Sequence, residues 1–470
     1  MKKRSALPRA ARSLLPVILA LAWPTMLEQV MQTAVQYIDT AMVGSLGTAA
    51  TAAVGSTTTV SWLIGSTVTA VGVGFLACIS QAIGAGDRER ARRAAAQSVL
   101  TVLVTGSFFT AAALLLSPFV PAWMQVDPAV RADASVYFFI FYLPMLPRTA
   151  SLIFGTVLRA AGDTRTPMRV GVFVNLINVT LNFLLIYPSR TLRLFGLSFP
   201  MWGAGLGVAG AAAASAVSLL FGGIAITVVF FRHPLVSPRG IPLKPYREVL
   251  IPCLRVAFPN MLQRFGTSLG YVAFAAMINS LGGISTAAHT VANTVESAFY
   301  IPGYGMQTAA ATLTGNAVGA GDREKQKALA RTILLLEVSL MILSGSLLFA
   351  FAPAMAGIFS RDRAVIGLSA TVLRMVACSE PFYGVSIVIE GMLQGAGQTK
   401  VPLVFNIAGM WGIRIAGTFV CTQLLGLSLI SAWACMIGHN LFLFAFFVIY
   451  YSRGRWAEGL RTEAGSSPLP

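Results

Sequence analysis

The sequence predicts an all-α membrane protein: twelve transmembrane helices in two six-helix lobes, related by a pseudo-two-fold axis along the membrane normal. Three observations predict it. Hydrophobic residues make up 56 % of the 470 and charged residues only 11 %, whereas soluble domains carry roughly 25 % charge. Apolar stretches of ~20 residues recur along the whole chain, each long enough to cross ~30 Å of hydrocarbon. The chain also repeats itself. Gly84-Ala-Gly-Asp-Arg-Glu89 returns 235 positions later as Gly319 to Glu324, half of the 470 residues on. The same offset links Pro24-Thr-Met-Leu27 to Pro259-Asn-Met-Leu262, and Leu46-Gly47 to Leu281-Gly282. It also links Gly162-Asp-Thr-Arg-Thr-Pro167 to Gly397-Gln-Thr-Lys-Val-Pro402. A duplicated unit of six spans returns to its starting side, so both halves share one orientation.

Backbone polar groups in hydrocarbon must pair within the protein, which leaves helices or a closed barrel. Runs such as 100–116 do not alternate as barrel strands would, so the spans are read as helices. Span 1 covers 14–42. Its basic start and apolar core imitate a signal peptide, but Pro24 has a partner in Pro259, so the segment is read as a working span. Spans 2 and 3 (49–83 and 94–123) flank the first Gly-Ala-Gly-Asp-Arg-Glu string. There glycine ends one helix, and Asp87 and Glu89 open the next. Spans 4 and 5 (135–160 and 168–187) flank residues 162–167, and a longer connection, 189–201, precedes span 6 at 203–231. Spans 7 to 12 cover 249–281, 286–318, 332–359, 364–393, 402–421 and 431–451. The repeat loses register after Pro402. The expected domains are an N-terminal lobe (1–231), a basic Pro-containing linker (232–248), a C-terminal lobe (249–452) and a tail (453–470).

The net charge of +17 is topological. Of 34 Lys and Arg, 24 fall on one side of this layout and five (Arg131, Arg190, Arg193, Arg361 and Arg363) on the other. The positive-inside rule places the basic side, with both termini, in the cytoplasm of a cell inner membrane. No nucleic-acid partner is needed. The five Cys form no Cys-x-x-Cys pair and so give neither a disulfide framework nor a zinc site. No Gly-x-x-x-x-Gly-Lys-Ser/Thr occurs, which argues against ATP as the energy source. The three His (His233, His289 and His439) have no evident acid neighbour in sequence, so no enzyme and no cofactor are expected. The protein is expected to act as a monomer in the bilayer.

Six acids fall inside spans: Glu28, Asp39, Glu296, Glu337, Glu380 and Glu390. Each costs at least ~2.5–3.5 kcal/mol to insert when ionised, so each needs a partner or a role. Asp39 lies in span 1. Asn178 and Asn182 of span 5 share one helical face, and Ser215 lies in span 6. One carboxylate, two amide oxygens and a hydroxyl suit a sodium ion. They equally suit a protonatable Asp39, or a buried polar joint between helices. Glu296 precedes Phe299, Tyr300, Pro302 and Gly303, and an acid beside aromatics can hold an organic cation. It can also be half of a salt bridge, with Arg264 or Arg374 as partner. Glu390, with Tyr383 on the same span, repeats the idea, and Gln32 shares a helix face with Asp39. Gln32, Glu296, Tyr300, Tyr383 and Glu390 are therefore the candidate substrate-lining residues. Glu28 and Glu337 are read as structural. Prolines 24, 144, 147, 259, 302 and 381 permit kinks within spans.

Taken together, several strings give the sequence a family resemblance. They are Trp23-Pro24, Asp39-Thr-Ala-Met-Val-Gly44 with Leu46-Gly47, and the paired Gly-Ala-Gly-Asp turns. To these add Leu158-Arg-Ala-Ala-Gly-Asp-Thr-Arg-Thr-Pro167, Asn178-x-x-x-Asn182 with Leu185-Ile186, and Gly207-Val-Ala-Gly-Ala-Ala212. In their order and spacing the chain resembles the multidrug and toxic compound extrusion (MATE) transporters. The resemblance implies two six-helix lobes and export of organic cations or drugs against inward protons or sodium. It implies that Asp39, Asn178, Asn182 and Ser215 occupy the coupling-ion positions. Some members have an acid where this chain has Asn182, which leaves Asp39 the sole carboxylate. Acids that other members carry in spans 7 and 10 align with Thr267 (or Gln263) and Tyr383. Glu296 resembles the span 8 glutamate of another branch. The alternative within the same superfamily is a lipid-linked oligosaccharide flippase, which would want a basic central cavity.

Overall fold

The structure is a computed structural model that describes residues 6–124, 126–194 and 197–454. Lys2, Lys3, Arg4 and the tail from residue 455 lie outside the described residues. Each expected span is helical. In the first half the helices are Ala6–Gly44, Thr48–Gly84, Arg88–Leu116 with the short Val120–Trp123, Arg131–Tyr142 with Met145–Ala160, Arg165–Leu185 and Gly207–Arg232. In the second half they are Arg247–Asn279, Gly283–Phe299 with Ile301–Gly319, Arg323–Phe359, Arg363–Ala377 with Glu380–Gly395, Lys400–Leu424 and Leu429–Ser452.

The connection before span 6 is not irregular. Pro188–Leu194 (β1) and Leu197–Ala204 (β2) form an antiparallel hairpin, so span 6 begins at Gly207 and not at 203. Gly203 packs so closely on Tyr187 and Pro188 that a Cβ there would overlap their backbone. Span 11 contains wide π-helical turns at Ala408–Ile415 and Val420–Leu424. Such turns shift register within a helix, and they fall where the sequence repeat fades.

Eight of the described helices are long and apolar enough to cross a membrane, and ten if each bent pair counts as one span. Spans 7 and 8 are helical, span 8 in two pieces either side of Tyr300, but more polar. They carry Gln263, Arg264, Glu296 and Gln307. A span can keep such groups only where protein or a water-filled cleft covers them.

The repeat is written into the backbone. Left-handed glycines recur at the 235-residue offset: Gly47 and Gly282 (φ 113° and 97°), Gly86 and Gly321 (76° and 68°), Gly162 and Gly397 (86° and 80°). The Asp after each Gly-Ala-Gly caps the next helix: Asp87 Oδ1 accepts from Arg90 N, and Asp322 Oδ1 from Lys325 N, both at 2.9 Å. Spans 4 and 10 break at matching places, with bends of 50° and 56°. Pro144 lies at one break and Pro381 just beyond the other. Pro24 and Pro259, by contrast, lie inside unbroken helices. The repeat fails at the middle of spans 2 and 8. Span 2 is continuous, whereas span 8 breaks at Tyr300, just before Pro302.

The lobes exchange the starts of their first helices. Ile18 and Ala22 of span 1 belong to an apolar core with Met306, Leu313, Val388 and Phe447 of the second half. Cys253 of span 7 belongs to the first-half core with Phe75, Phe154 and Phe230. At the face that carries the Gly-Ala-Gly-Asp turns, spans 2 and 8 close on each other. A Cβ at Gly84 would overlap the backbone of Asn316, and one at Gly319 the backbone of Gln81, a reciprocal contact across the pseudo-two-fold. Gln81 Nε2 also donates to Gly395 O at 2.8 Å, and Thr312 Oγ1 to Arg159 O at 3.2 Å. The lobes are therefore sealed together at the basic face.

Candidate functional site

In the first half, the four residues chosen from sequence come together. Asp39 Oδ1 accepts from Asn182 Nδ2 at 2.5 Å. The same Nδ2 donates to Asn178 Oδ1 at 3.1 Å, and Asn178 Nδ2 donates to Ser215 Oγ at 3.2 Å. The (i, i+4) spacing on span 5 points both amides one way, and span 1 brings the carboxyl to them. Asn178 and Asn182 are buried, while Asp39 and Ser215 are half-buried.

The cage is short of donors. Asn182 Oδ1 is buried with no hydrogen-bond partner among the described residues. Asn178 Oδ1 stands 2.8 Å from Asp39 Oδ1, two acceptors face to face. Turning that amide by 180° lets its Nδ2 donate to Asp39, but then two amide donors, on Asn178 and Asn182, face each other at 3.1 Å. Neither orientation satisfies every atom. A proton on Asp39, or a small cation among the oxygens, resolves the first orientation, and a bare carboxylate suits the second. The donor set of one carboxylate, two amide oxygens and a hydroxyl fits either occupant. No group of three or more His, Cys, Asp or Glu that could hold a metal occurs among the described residues.

Beyond Asp39, span 1 shows a polar and exposed run: Gln32, Gln36, Tyr37 and Thr40. Tyr37 Oη reaches across to Thr294 O of span 8 at 3.3 Å. Trp62 of span 2 meets Tyr271 of span 7 edge-on at 6.2 Å. These contacts bridge the lobes on the side away from the basic face.

In the second half, the ring of Tyr300 lies 5.5 Å from Tyr304 and 6.2 Å from Tyr383. Tyr300 and Tyr383 were chosen from sequence. Tyr304 was missed, although its place four residues after Tyr300 was a usable signal. Glu296 is buried one turn before Tyr300. Neither Arg264 nor Arg374 pairs with it among the described residues. Arg374 is turned to Phe349, whose carbonyl it reaches at 3.4 Å. The cation within electrostatic reach of Glu296 is Arg414, on the first π-helical stretch of span 11. Its guanidinium lies over the rings of Phe274 (4.3 Å) and Tyr271 (4.8 Å).

Glu390 sits apart from the tyrosines' chemistry. Its carboxylate accepts from Gln263 at 3.0 Å, Gln394 at 3.1 Å and Asn406 at 3.2 Å, a joint between spans 7, 10 and 11. Three amide donors leave it little capacity for cargo. Glu28 pairs with Arg159 at 2.6 Å. Glu337 and Glu380 are fully buried, with no hydrogen-bond partner for either carboxyl among the described residues. Glu337 Oε1 is tucked 3.0 Å from where a Cβ on Gly303 would lie and 2.7 Å from one on Gly384.

The MatE family model matches residues 24–184 and again 259–420, so the duplication is the family's own unit found twice. The chain belongs to the MatE family. Among its relatives is the probable multidrug resistance protein NorM of Thermotoga maritima, 28 % identical over 94 % of this chain and 93 % of that one. Multidrug and toxin extrusion protein 1 of Homo sapiens is 25 % identical over 96 % of this chain and 76 % of that one. Among solved structures, an outward-facing MATE-family multidrug resistance transporter superposes with a TM-score of 0.85 at 23 % identity, over 94 % of this chain and 95 % of that one. That likeness carries the fold, two lobes of six helices each. This MATE-family chain is a multi-pass membrane transporter.

Proposed function

We propose that this transporter is a secondary antiporter that exports small organic cations in exchange for a proton or sodium ion held at Asp39, Asn178, Asn182 and Ser215. The observation that carries the reading is the polar cluster itself: Asp39, Asn178, Asn182 and Ser215 are hydrogen-bonded across spans 1, 5 and 6, and the Asn182 oxygen has no partner among the described residues. Such a cluster accepts a proton or a small cation with the Asn178 amide one way and a bare carboxylate with it the other, so its hydrogen bonding changes when the charge leaves. A carrier does work only if its two ligands prefer different states. Here the coupling ion would set the bonds between spans 1, 5 and 6, and cargo would sit between the lobes.

Gln32, Glu296, Tyr300 and Tyr383 would line the cargo chamber, with Tyr304 completing a tyrosine wall. Tyrosine faces beside a carboxylate suit a cation with apolar bulk. Glu390 would act on that chamber through the side-chain joint it holds between spans 7, 10 and 11. The excess of Lys and Arg on the sealed face supports a cytoplasmic basic side, in which case the described state is closed to the cytoplasm.

The test is efflux of ethidium from proteoliposomes, with proton and sodium gradients imposed separately. One gradient should drive efflux, and Asp39→Asn should remove that drive while the protein still elutes as a folded species. Gradient-driven efflux from Asp39→Asn at the wild-type rate would refute the role.

A further inference from the structure

A pocket lies on the basic face, away from both lobes' interiors. Its cavity of about 600 Å³ sits between the start of span 3 and the linker. Arg88, Arg92 and Arg93, with Glu89 among them, line one wall, and Leu235, Ile241 and Tyr246 of the linker line the other. We propose that this pocket binds the phosphate group of an anionic membrane lipid.

The linker is fastened there. Arg92 Nε donates to Ser237 O at 3.0 Å and its Nη2 to Arg239 O at 2.5 Å. The buried Gln97 donates to Lys244 O at 3.0 Å and accepts from Tyr246 N at 3.1 Å. Arg92 is thus committed to holding the pocket's shape, and the other two arginines are the recognition groups. Arg88 is exposed and has no ion pair among the described residues. Arg93 pairs with Glu89, but that pair is open to solvent, and such pairs are weak enough for a phosphate to compete. Arg93 and Lys244 also flank the Tyr246 ring, at 5.7 Å and 5.4 Å.

Two features select a lipid over a soluble phosphate. The pocket lies beside the first residues of a membrane-spanning helix, on the side of the layout richest in Lys and Arg. Its linker wall is apolar, with Pro234, Leu235, Ile241 and Pro242. An arginine pair matches a phosphodiester, and the apolar wall would receive the glycerol and first methylenes beyond it. A free phosphate would leave that wall unused. Basic pockets at the cytoplasmic ends of spans are a known headgroup chemistry. The repeat supplies a built-in control. At the same offset Arg88, Arg92 and Arg93 become Arg323, Lys327 and Ala328, so the set of three arginines is not repeated. The proposal stands independently of which cation drives transport.

The experiment is native mass spectrometry and thermal unfolding of the full-length protein in detergent, titrated with phosphatidylglycerol, phosphatidylcholine or inorganic phosphate. The wild type should retain phosphatidylglycerol preferentially and unfold at a higher temperature with it. Arg88→Gln/Arg93→Gln should weaken that binding about 30-fold, the effect of two lost surface cations. Arg323→Gln/Lys327→Gln should leave it unchanged. Should the first pair fail to fold, Arg88→Gln alone should still weaken binding about fivefold. Equal retention of the two lipids, or an unaltered preference in both the double and the single variant, would overturn the site. Stabilisation by inorganic phosphate as large as that by phosphatidylglycerol would overturn the lipid assignment.

Discussion

The two lobes share a backbone and invert their chemistry. At the 235-residue offset Asp39 becomes Phe274, and where the first lobe sets a carboxylate, the second sets a ring beneath the Arg414 guanidinium at 4.3 Å. Conversely, Glu296, Glu337, Glu380 and Glu390 correspond to Ser61, Val102, Met145 and Gly155. Duplication kept the positive-φ turns and the bends of spans 4 and 10, because these fix where helices go. It did not keep the buried charges, because each is costly in a membrane and persists only where it has a partner or a task. The lobes are thus alike as scaffolds and unlike as sites. One carries a single half-buried acid in an amide cage, and the other carries acids beside a tyrosine wall.

The sharpest way to break the comparison is to exchange the acids. Asp39→Asn should abolish gradient-driven efflux, and adding Phe274→Asp should not restore it, because no pair of asparagines faces position 274. Recovery in the double variant would mean that the lobes are interchangeable as ion sites. Glu296→Gln should act differently. It should weaken binding of an organic cation about tenfold, the size of one lost charge beside aromatic faces, while binding of a neutral dye changes little. Equilibrium dialysis with both ligands separates the two outcomes.

A smaller effect concerns a joint that both lobes build by different means. In the first lobe Glu28 pairs with Arg159. The same offset gives Gln263 and Gln394, and both of these donate to Glu390. Gly171 lies against Glu28, and its counterpart Asn406 donates to Glu390. Each lobe therefore ties its first, fourth and fifth spans at one place, with an ion pair in one and a triply bonded carboxylate in the other. Glu28→Gln should cost about 1–2 kcal/mol in thermal unfolding. This is less than the ~3–5 kcal/mol of a fully buried broken pair, because both side chains keep some solvent contact. Adding Arg159→Gln, Gly155→Glu and Gly171→Asn, which copies the second lobe's joint into the first, should recover most of that loss. No recovery would mean that the two joints are not equivalent.

Most of the scaffold was legible in sequence, because apolar length and an internal repeat are one-dimensional signals. The cage was legible too: the i, i+4 asparagines of span 5 point one way whatever the packing. The joint that Glu390 makes was not legible because its three amide partners lie on three different spans. The partner of Glu296 was missed for the same reason. Arg414 is 118 residues away in the chain, and π-helical turns decide which way it faces. The hairpin before span 6 was missed because β1 begins immediately after a transmembrane helix and carries no strong alternation.

The smallest expected effects come from the repeated turn, whose two glycines in each copy are there for different reasons. Gly86 and Gly321 have φ of 76° and 68°, and a Cβ on either would meet nothing within 4 Å. Alanine there should cost only the left-handed backbone strain, about 1 kcal/mol at each site and equal between the lobes. Gly84 and Gly319 have ordinary helical backbones but press on Asn316 and Gln81 across the pseudo-two-fold. Alanine there should leave each lobe folded and pry the lobes apart at the basic face. The readout is accessibility to a membrane-impermeant thiol reagent of a cysteine placed at Gln81 or Asn316, in a background with the native cysteines replaced. Labelling should rise in Gly84→Ala and Gly319→Ala and stay at the wild-type level in Gly86→Ala and Gly321→Ala. If all four glycines behaved alike, the seal would be a property of the turn and not of the close approach of spans 2 and 8.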